Sequence, residues 1–130
     1  MCAGDFTRPC TSESEKETYQ QVALAGNNGI IYILENYKVT SFVHVDYSIT
    51  RVLRYRPKSL PESSPDILIC AGHCNEIRAY YYGELITTYG TQDWVHDMIL
   101  GDIDGDGKDE LVMGLLNQTI AVLKCSIEME

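Results

Sequence analysis

A run of acidic residues is the part of the sequence best suited to chemistry. It reads Asp102-Ile103-Asp104-Gly105-Asp106-Gly107-Lys108-Asp109-Glu110. Oxygen ligands at alternating positions, a glycine that permits a sharp turn and a free backbone carbonyl suit a hard cation with about six to eight oxygen ligands. The candidate ligands are the carboxylates of Asp102, Asp104, Asp106 and Glu110 and the carbonyl of Lys108. The pattern predicts a structural cation site with Ca2+ as its natural occupant.

The loop differs from an EF-hand, in which a bidentate glutamate stands at position 12. Here position 12 is Met113, inside an apolar strand, and Glu110 stands at position 9. Asp109 is adjacent to Glu110 and is expected to point to the opposite face as the strand begins, outside the ligand set. The alternative is a metal-free turn whose carboxylates accept backbone N–H bonds.

Short strands in a repeat must position this loop. Three segments each contain an apolar strand ending at glycine, a polar turn and a returning strand, and they align at Gly26, Gly72 and Gly114. Further β-branched and aromatic segments between them give four strands in each unit of about 42 to 46 residues, a length typical of β-propeller blades. We therefore expect an all-β fold, a partial β-propeller of about two and a half four-stranded blades. The expected blades cover about 1–46, about 47–91 and, incompletely, about 92–130.

The number of blades bears on what the chain is part of. A closed propeller has about four to eight blades, and an open one leaves sheet edges that invite pairing. We expect a piece of a longer propeller or a short isoform, and an oligomer that completes the ring is the less favoured alternative. Two Pro-, Ser- and Glu-rich segments, Thr7 to Thr18 and Pro57 to Asp66, are interpreted as solvated connections.

Composition excludes several classes of protein. The 130 residues carry a formal net charge of −9, which repels phosphate backbones and anionic lipid surfaces. Apolar runs are too short to span a bilayer, and Met1 to Gln21 contains no signal-peptide core. We expect a cytoplasmic protein with reduced cysteines, without nucleic acid or inserted membrane as a partner. Cys70, His73 and Cys74 match no common zinc spacing, and Cys70 is predicted to be buried in a strand.

No catalytic motif occurs in the sequence. A nucleophile elbow, a P-loop, a dinucleotide fingerprint and HExxH are all missing, and His44, His73 and His96 are scattered. Asp93 to Asp97 combines a base, acids and an aromatic ring, but Trp94 there is expected to pack between blades. A non-enzyme without a small-molecule substrate is the favoured interpretation. A propeller hydrolase or lyase would need catalytic residues in blades outside this sequence.

The segment Gly101 to Gly114 resembles the FG-GAP repeat of integrin-α-type β-propellers. The family motif is DxDxDGxxD before an apolar strand that ends in glycine, and Glu110 replaces the usual final aspartate. The resemblance implies side-chain ligation of Ca2+ by Asp102, Asp104, Asp106 and Glu110, and ligation by the Lys108 carbonyl. In the first repeat only Asp5 matches, and in the second Arg54-Tyr55 replaces Gly-Asp, so calcium sites are not expected there.

Among FG-GAP proteins, the chain is most similar to the intracellular propellers of the KICSTOR complex, because it lacks an export signal and has degenerate repeats. That similarity implies a non-catalytic scaffold whose partners are other complex subunits. Such a complex recruits a Rag-directed GTPase-activating complex to the lysosomal surface and restrains TOR signalling. The alternative is an extracellular, integrin-α-like propeller for calcium-dependent adhesion or ligand binding. Glycosylation at the sequon Asn117-Gln118-Thr119 would favour that alternative.

Overall fold

The computed structural model describes residues 1–4, 6, 21–57 and 64–124. These residues form eleven β-strands and no helix, so the predicted all-β class is confirmed. The strands make three separate antiparallel sheets, none of which closes on itself. Asp5, the segment Thr7 to Thr18 and residues 58–63 lie outside the described residues. Ser64, Pro65 and Asp66 are buried, so the interpretation of Pro57 to Asp66 as a solvated connection is wrong for these three residues.

The first sheet contains four strands in chain order, joined by hairpins. Its strands are β1 (Cys2–Gly4), β2 (Gln21–Ala25), β3 (Ile30–Glu35) and β4 (Lys38–His44). A two-residue turn with positive φ at Asn36 (51°) and Tyr37 (65°) connects β3 to β4. Two successive positive φ values match the right-handed twist of a tight hairpin.

The second sheet repeats this arrangement. Its strands are β5 (Ile49–Tyr55), β6 (Ile67–Gly72), β7 (Glu76–Tyr81) and β8 (Glu84–Gly90). The turn from β7 to β8 again has positive φ at both central residues, Tyr82 (56°) and Gly83 (80°). All six residues of β6 are buried, as expected for a strand covered on both faces.

The third sheet has three strands among the described residues. They are β9 (Val95–Gly101), β10 (Glu110–Leu115) and β11 (Ile120–Lys124), in the order β11-β10-β9. The acidic segment connects β9 to β10 and therefore lies at one end of an antiparallel pair.

The second sheet packs between the other two. The cluster between the first and second sheets includes Ala23, Ile33, Leu68, Cys70 and Tyr80. The cluster between the second and third sheets includes Ile69, Ala79, Met98, Leu111 and Met113. The Thr50 hydroxyl adds a polar link, because it lies 3.3 Å from the Ala71 carbonyl of its own sheet and 3.0 Å from the Val95 carbonyl of the third.

Cross-strand pairing gives each sheet two distinct faces. In the central hairpin of every sheet, the two residues of one cross-strand pair are ten positions apart in the sequence. The two residues of the next pair are twelve positions apart, and this pair lies on the opposite face. We call the face of the ten-residue pairs the forward face and the other the rear face. The forward pairs are Ala23 with Ile33, Ile69 with Ala79 and Val112 with Val122. The rear pairs are Val22 with Leu34, Leu68 with Tyr80 and Leu111 with Leu123.

This register corrects the sequence alignment of the third unit by one residue. The Gly26 N–H donates to the Ile30 carbonyl, and the equivalent bond of the third sheet is made by Leu115, which donates to Thr119. Gly114 was therefore wrongly aligned with Gly26. The sequence favoured the glycine because it ends an apolar run, whereas the backbone hydrogen bonds that define the turn are made here by Leu115.

Each of the two core clusters joins a forward face to a rear face, so the sheets stack in one direction. Three stacked open sheets do not make a ring, and the propeller itself stays a prediction. No helix of the described residues is long and apolar enough to cross a membrane.

Candidate metal centre

The acidic loop begins and ends at two residues that face each other. Gly101, the last residue of β9, pairs with Glu110, the first residue of β10. On its other side Glu110 pairs with Lys124 at the end of β11. The loop is therefore held over the end of the third sheet by three hydrogen-bonded strands.

The aspartates shape the loop through backbone hydrogen bonds. The Asp102 carboxylate accepts bonds from the N–H groups of Gly105 (2.9 Å) and Gly107 (2.8 Å). Asp104 Oδ1 accepts the N–H of Asp106 at 3.1 Å. Both glycines have positive φ, 78° and 83°, a conformation that costs glycine little and side-chain-bearing residues more. The alternating carboxylates thus fold the segment into successive tight turns.

Glu110 is the one buried carboxylate of the loop. Its side chain is almost fully enclosed, at 2% exposure, and Oε1 accepts the Ile103 N–H at 3.0 Å. A buried carboxylate requires hydrogen-bond donors or a cation nearby, because removing it from water is costly. Glu110 therefore fixes the base of the loop.

Four of the predicted ligands come together. One carboxylate oxygen from each of Asp102, Asp104, Asp106 and Glu110 lies within 4.8 Å of the others. The three aspartates are exposed and open to solvent. The cluster could hold a metal ion, and its geometry does not single out Ca2+.

Lys108 and Asp109 take other positions. The Lys108 N–H donates to Asp106 Oδ1 at 2.9 Å, which places the residue in the same turn. Its role as a carbonyl ligand stays a prediction. Asp109 is exposed and is not one of the four clustered carboxylates.

A lysine that the sequence analysis did not consider meets this cluster. Lys124 Nζ lies 3.0 Å from Asp104 Oδ2 and 3.7 Å from Asp106 Oδ2. The hydrogen bond from Lys124, helped by the Asp106 N–H, lowers the pKa of Asp104 to about 2. The same contact raises the pKa of Lys124. The contact depends on strand register, which places Lys124 opposite Glu110 and which the sequence pattern did not reveal.

The donor set fits a hard cation. Carboxylate oxygens suit Ca2+, Mg2+ or Mn2+, whereas the cluster offers no thiolate or imidazole for softer metals. Four carboxylates repel one another, and Lys124 supplies a single compensating charge. A divalent ion would contact the oxygens of Asp104 and Asp106 that face Lys124, since their other oxygens already accept backbone N–H groups.

Cys70, His73 and Cys74 have different partners. Cys70 is fully buried, as the sequence predicted, and its sulfur lies 3.3 Å from the Tyr47 hydroxyl. His73 stacks on Trp94 with ring centroids 4.6 Å apart, and Cys74 Sγ donates to the Glu76 carbonyl. Within the described ranges these three residues form no metal-binding group.

The segment from Asp93 to Asp97 shows no convergent arrangement. Asp93 accepts the N–H of Trp94, and Asp97 pairs with Arg51 at 3.1 Å. Trp94, still 40% exposed, lies against the turn that follows β6 and so bridges the second and third sheets. These contacts are structural ones between neighbouring elements.

No family model, curated protein or solved structure matches this chain. The FG-GAP resemblance therefore rests on the loop motif and the strand repeat. What the arrangement can do chemically is bind a hard cation and tie two strands together.

Proposed function

We propose that this chain is a non-catalytic, protein-interaction scaffold of the FG-GAP β-propeller type, and that its acidic loop binds Ca2+ as a structural ion. The observation that carries the proposal is the convergence of Asp102, Asp104, Asp106 and Glu110 within 4.8 Å. Loops with this ligand pattern bind Ca2+ with affinities that depend on their rigidity and on the number of charges.

A structural role for the ion follows from its place in the fold. The loop joins two neighbouring strands, and its last ligand, Glu110, is buried at the start of β10. A cation would relieve the mutual repulsion of the carboxylates and so stabilise the end of the third sheet.

The finer proposal is a subunit of a KICSTOR-type complex with protein partners, recruited to the lysosomal surface to restrain TOR signalling. The loop motif supports it, together with the poor match of the first two repeats to the calcium consensus. Its test is co-precipitation from cells with the KICSTOR subunits, followed by lysosomal localisation during amino-acid withdrawal. Normal recruitment of the complex in cells that lack this protein would contradict it.

The metal proposal is tested by calorimetric titration of the chain with Ca2+ and Mg2+ and by thermal melts with and without ion. We expect a single site for Ca2+ and a higher melting temperature in its presence, because an ion that binds only the folded state stabilises it. Asp104→Asn should weaken binding by about tenfold or more.

Asp109→Asn is the matched control, because it makes the same chemical change outside the cluster. It should alter affinity by no more than about threefold, through screened long-range charge alone. A folded chain that shows no heat of binding at millimolar Ca2+ would contradict the proposal. Equal losses of Ca2+ affinity in Asp104→Asn and Asp109→Asn would contradict the assignment of the ligands.

The alternative of an extracellular, integrin-α-like propeller has one observation in its favour. Asn117 is exposed in the turn between β10 and β11, as a glycosylated asparagine must be. Treating the natively expressed protein with an N-glycosidase tests it. A mass shift that disappears in Asn117→Gln would favour the extracellular function, and an unchanged mass would favour the scaffold.

A further inference from the structure

The two outermost sheet faces of the stack each carry an aliphatic row and have no sheet packed on them among the described residues. On the forward face of the third sheet, a cross-strand row joins Ile99, Val112 and Val122. Ile99 is 63% exposed and Val122 52% exposed, and Ile120 beside them is 77% exposed. An apolar face of this kind marks an interaction surface more often than a solvated one.

The rear face of the first sheet is its counterpart. There the row runs through Ala3, Val22, Leu34 and Val39. Val22 and Leu34 are half-buried, and Val39 on the edge strand β4 is 57% exposed. Both ends of the stack thus present aliphatic rows of similar length.

The chain itself shows what packs on such rows. Inside the molecule, the forward row Leu53, Ile69 and Ala79 of the second sheet belongs to the same core cluster as the rear row Leu100, Leu111 and Leu123 of the third. By register, Ile99, Val112 and Val122 are the equivalents of that forward row. Val22 and Leu34 are the equivalents of Leu111 and Leu123 in the rear row.

We propose that the two exposed faces bind each other between copies of this chain, forward face of the third sheet against rear face of the first. The contact continues the forward-to-rear packing already present twice within the molecule. It is heterologous, because the two surfaces differ, so it leaves one face free at each end until the assembly closes. This inference rests on the sheet faces alone and does not depend on the metal centre or on the proposed function.

Two matched substitutions test the forward face and the rear face separately. Val122→Lys places a charge on the forward face, and Val39→Lys does the same on the rear face. Both valines lie on strands that are outermost in their sheets among the described residues and are more than half exposed, so lysine is tolerated in the folded monomer. Tyr37→Lys, in an exposed turn at 98% exposure, is the control.

The measurement is analytical ultracentrifugation from about 1 to 100 μM, the range in which interfaces of moderate size associate. We expect concentration-dependent association of the unmodified chain and of Tyr37→Lys. Each valine variant alone should be a monomer. An equimolar mixture of the two should form a 1:1 dimer and nothing larger, because each variant keeps the face that the other has lost.

Circular dichroism and thermal melts confirm that each variant is folded. If one fails to fold, Ile99→Lys replaces Val122→Lys and Leu34→Lys replaces Val39→Lys on the same faces. A folded wild-type monomer over the whole range overturns the proposal and assigns the faces to sheets of another polypeptide or a longer chain. Undiminished association of Val39→Lys alone also overturns it, because contact between two third sheets would then suffice.

Discussion

Lys124 Nζ lies 3.0 Å from Asp104 Oδ2, so the strand after the acidic loop brings a cation of its own to the carboxylates. The contact follows from register, since Lys124 pairs with Glu110, the ninth residue of the loop. An incoming metal ion and the ammonium group therefore compete for the oxygens of Asp104 and Asp106.

Removal of this lysine should strengthen metal binding. Lys124→Gln removes both a competitor and a positive charge close to the site, and we expect the Ca2+ dissociation constant to fall about three- to tenfold at low ionic strength. Calorimetric titration measures it. Lys38→Gln, on an exposed lysine of the first sheet, is the control and should leave the affinity unchanged. Equal or weaker binding by Lys124→Gln would show that the lysine does not compete with the ion.

The second prediction concerns Asp66, whose side chain is only 1% exposed and contacts two arginines. Arg54 Nε lies at 2.7 Å and Arg56 Nη1 at 2.8 Å. Asp66→Ala removes the buried acceptor of two charge-assisted hydrogen bonds and should lower the free energy of unfolding by about 3 kcal/mol. Urea denaturation measures the loss.

The exposed ion pair between Arg51 and Asp97 provides the comparison, with side chains 45% and 64% exposed. Arg51→Ala should cost only about 0 to 1 kcal/mol, because water screens the pair. If both variants lost the same stability, burial of the Asp66 carboxylate would not be the cause.

The third prediction concerns the close approach of two backbones at Gly72. A Cβ built there would overlap the Ser48 carbonyl oxygen and lie 2.8 Å from Ile49 Cα. Gly72→Ala must push β5 and β6 apart and should cost about 1 to 3 kcal/mol. Gly114→Ala, where a Cβ meets nothing within 4 Å, should be neutral or slightly stabilising. Thermal melts of the two variants compare them directly, and similar melting temperatures would contradict the prediction.

The fourth prediction is a pH dependence that arises from Cys70. Burial raises the pKa of the Cys70 thiol from 9.0 to about 11. As pH rises, the unfolded chain loses this proton before the folded chain does, so the contribution of Cys70 to stability is full below pH 9 and is lost by about pH 11.

Alkylation with iodoacetamide and peptide mapping test the same point. At pH 8 the native chain should leave Cys70 unmodified, because the thiolate is the reactive form and the sulfur is enclosed. In denaturant the residue should react as a free cysteine. Equal labelling rates in the two conditions would show that Cys70 is not buried as described.

Strand positions could be predicted from sequence because they depend on local patterns. Apolar runs bounded by turn residues predict strands from Ile49 to Tyr55 and from Val95 to Gly101, and the structure has both with these limits. The strand predicted from Ile30 to Ile33 continues to Glu35. The convergence of the loop carboxylates was also foreseeable, because their spacing alone brings them together.

What the sequence could not provide depends on register and on contacts between sheets. The offset of Gly114 by one residue is invisible without the hydrogen bonds of the turn. Lys124 is fourteen positions from Glu110 and joins the site only through strand pairing. The ion pairs of Asp66 with Arg54 and Arg56 could not be predicted either, since a charge pattern does not reveal which carboxylate is buried.

Trp94 is the only tryptophan of the chain, and it stacks on His73 at an interplanar angle of 12°. Trp94 immediately precedes β9 and His73 immediately follows β6, so the stack joins a strand end of the third sheet to a strand end of the second. Tryptophan emission therefore reports locally on whether the third sheet is docked. Fluorescence and far-ultraviolet circular dichroism, followed together during unfolding, distinguish detachment of that sheet from loss of all the strands.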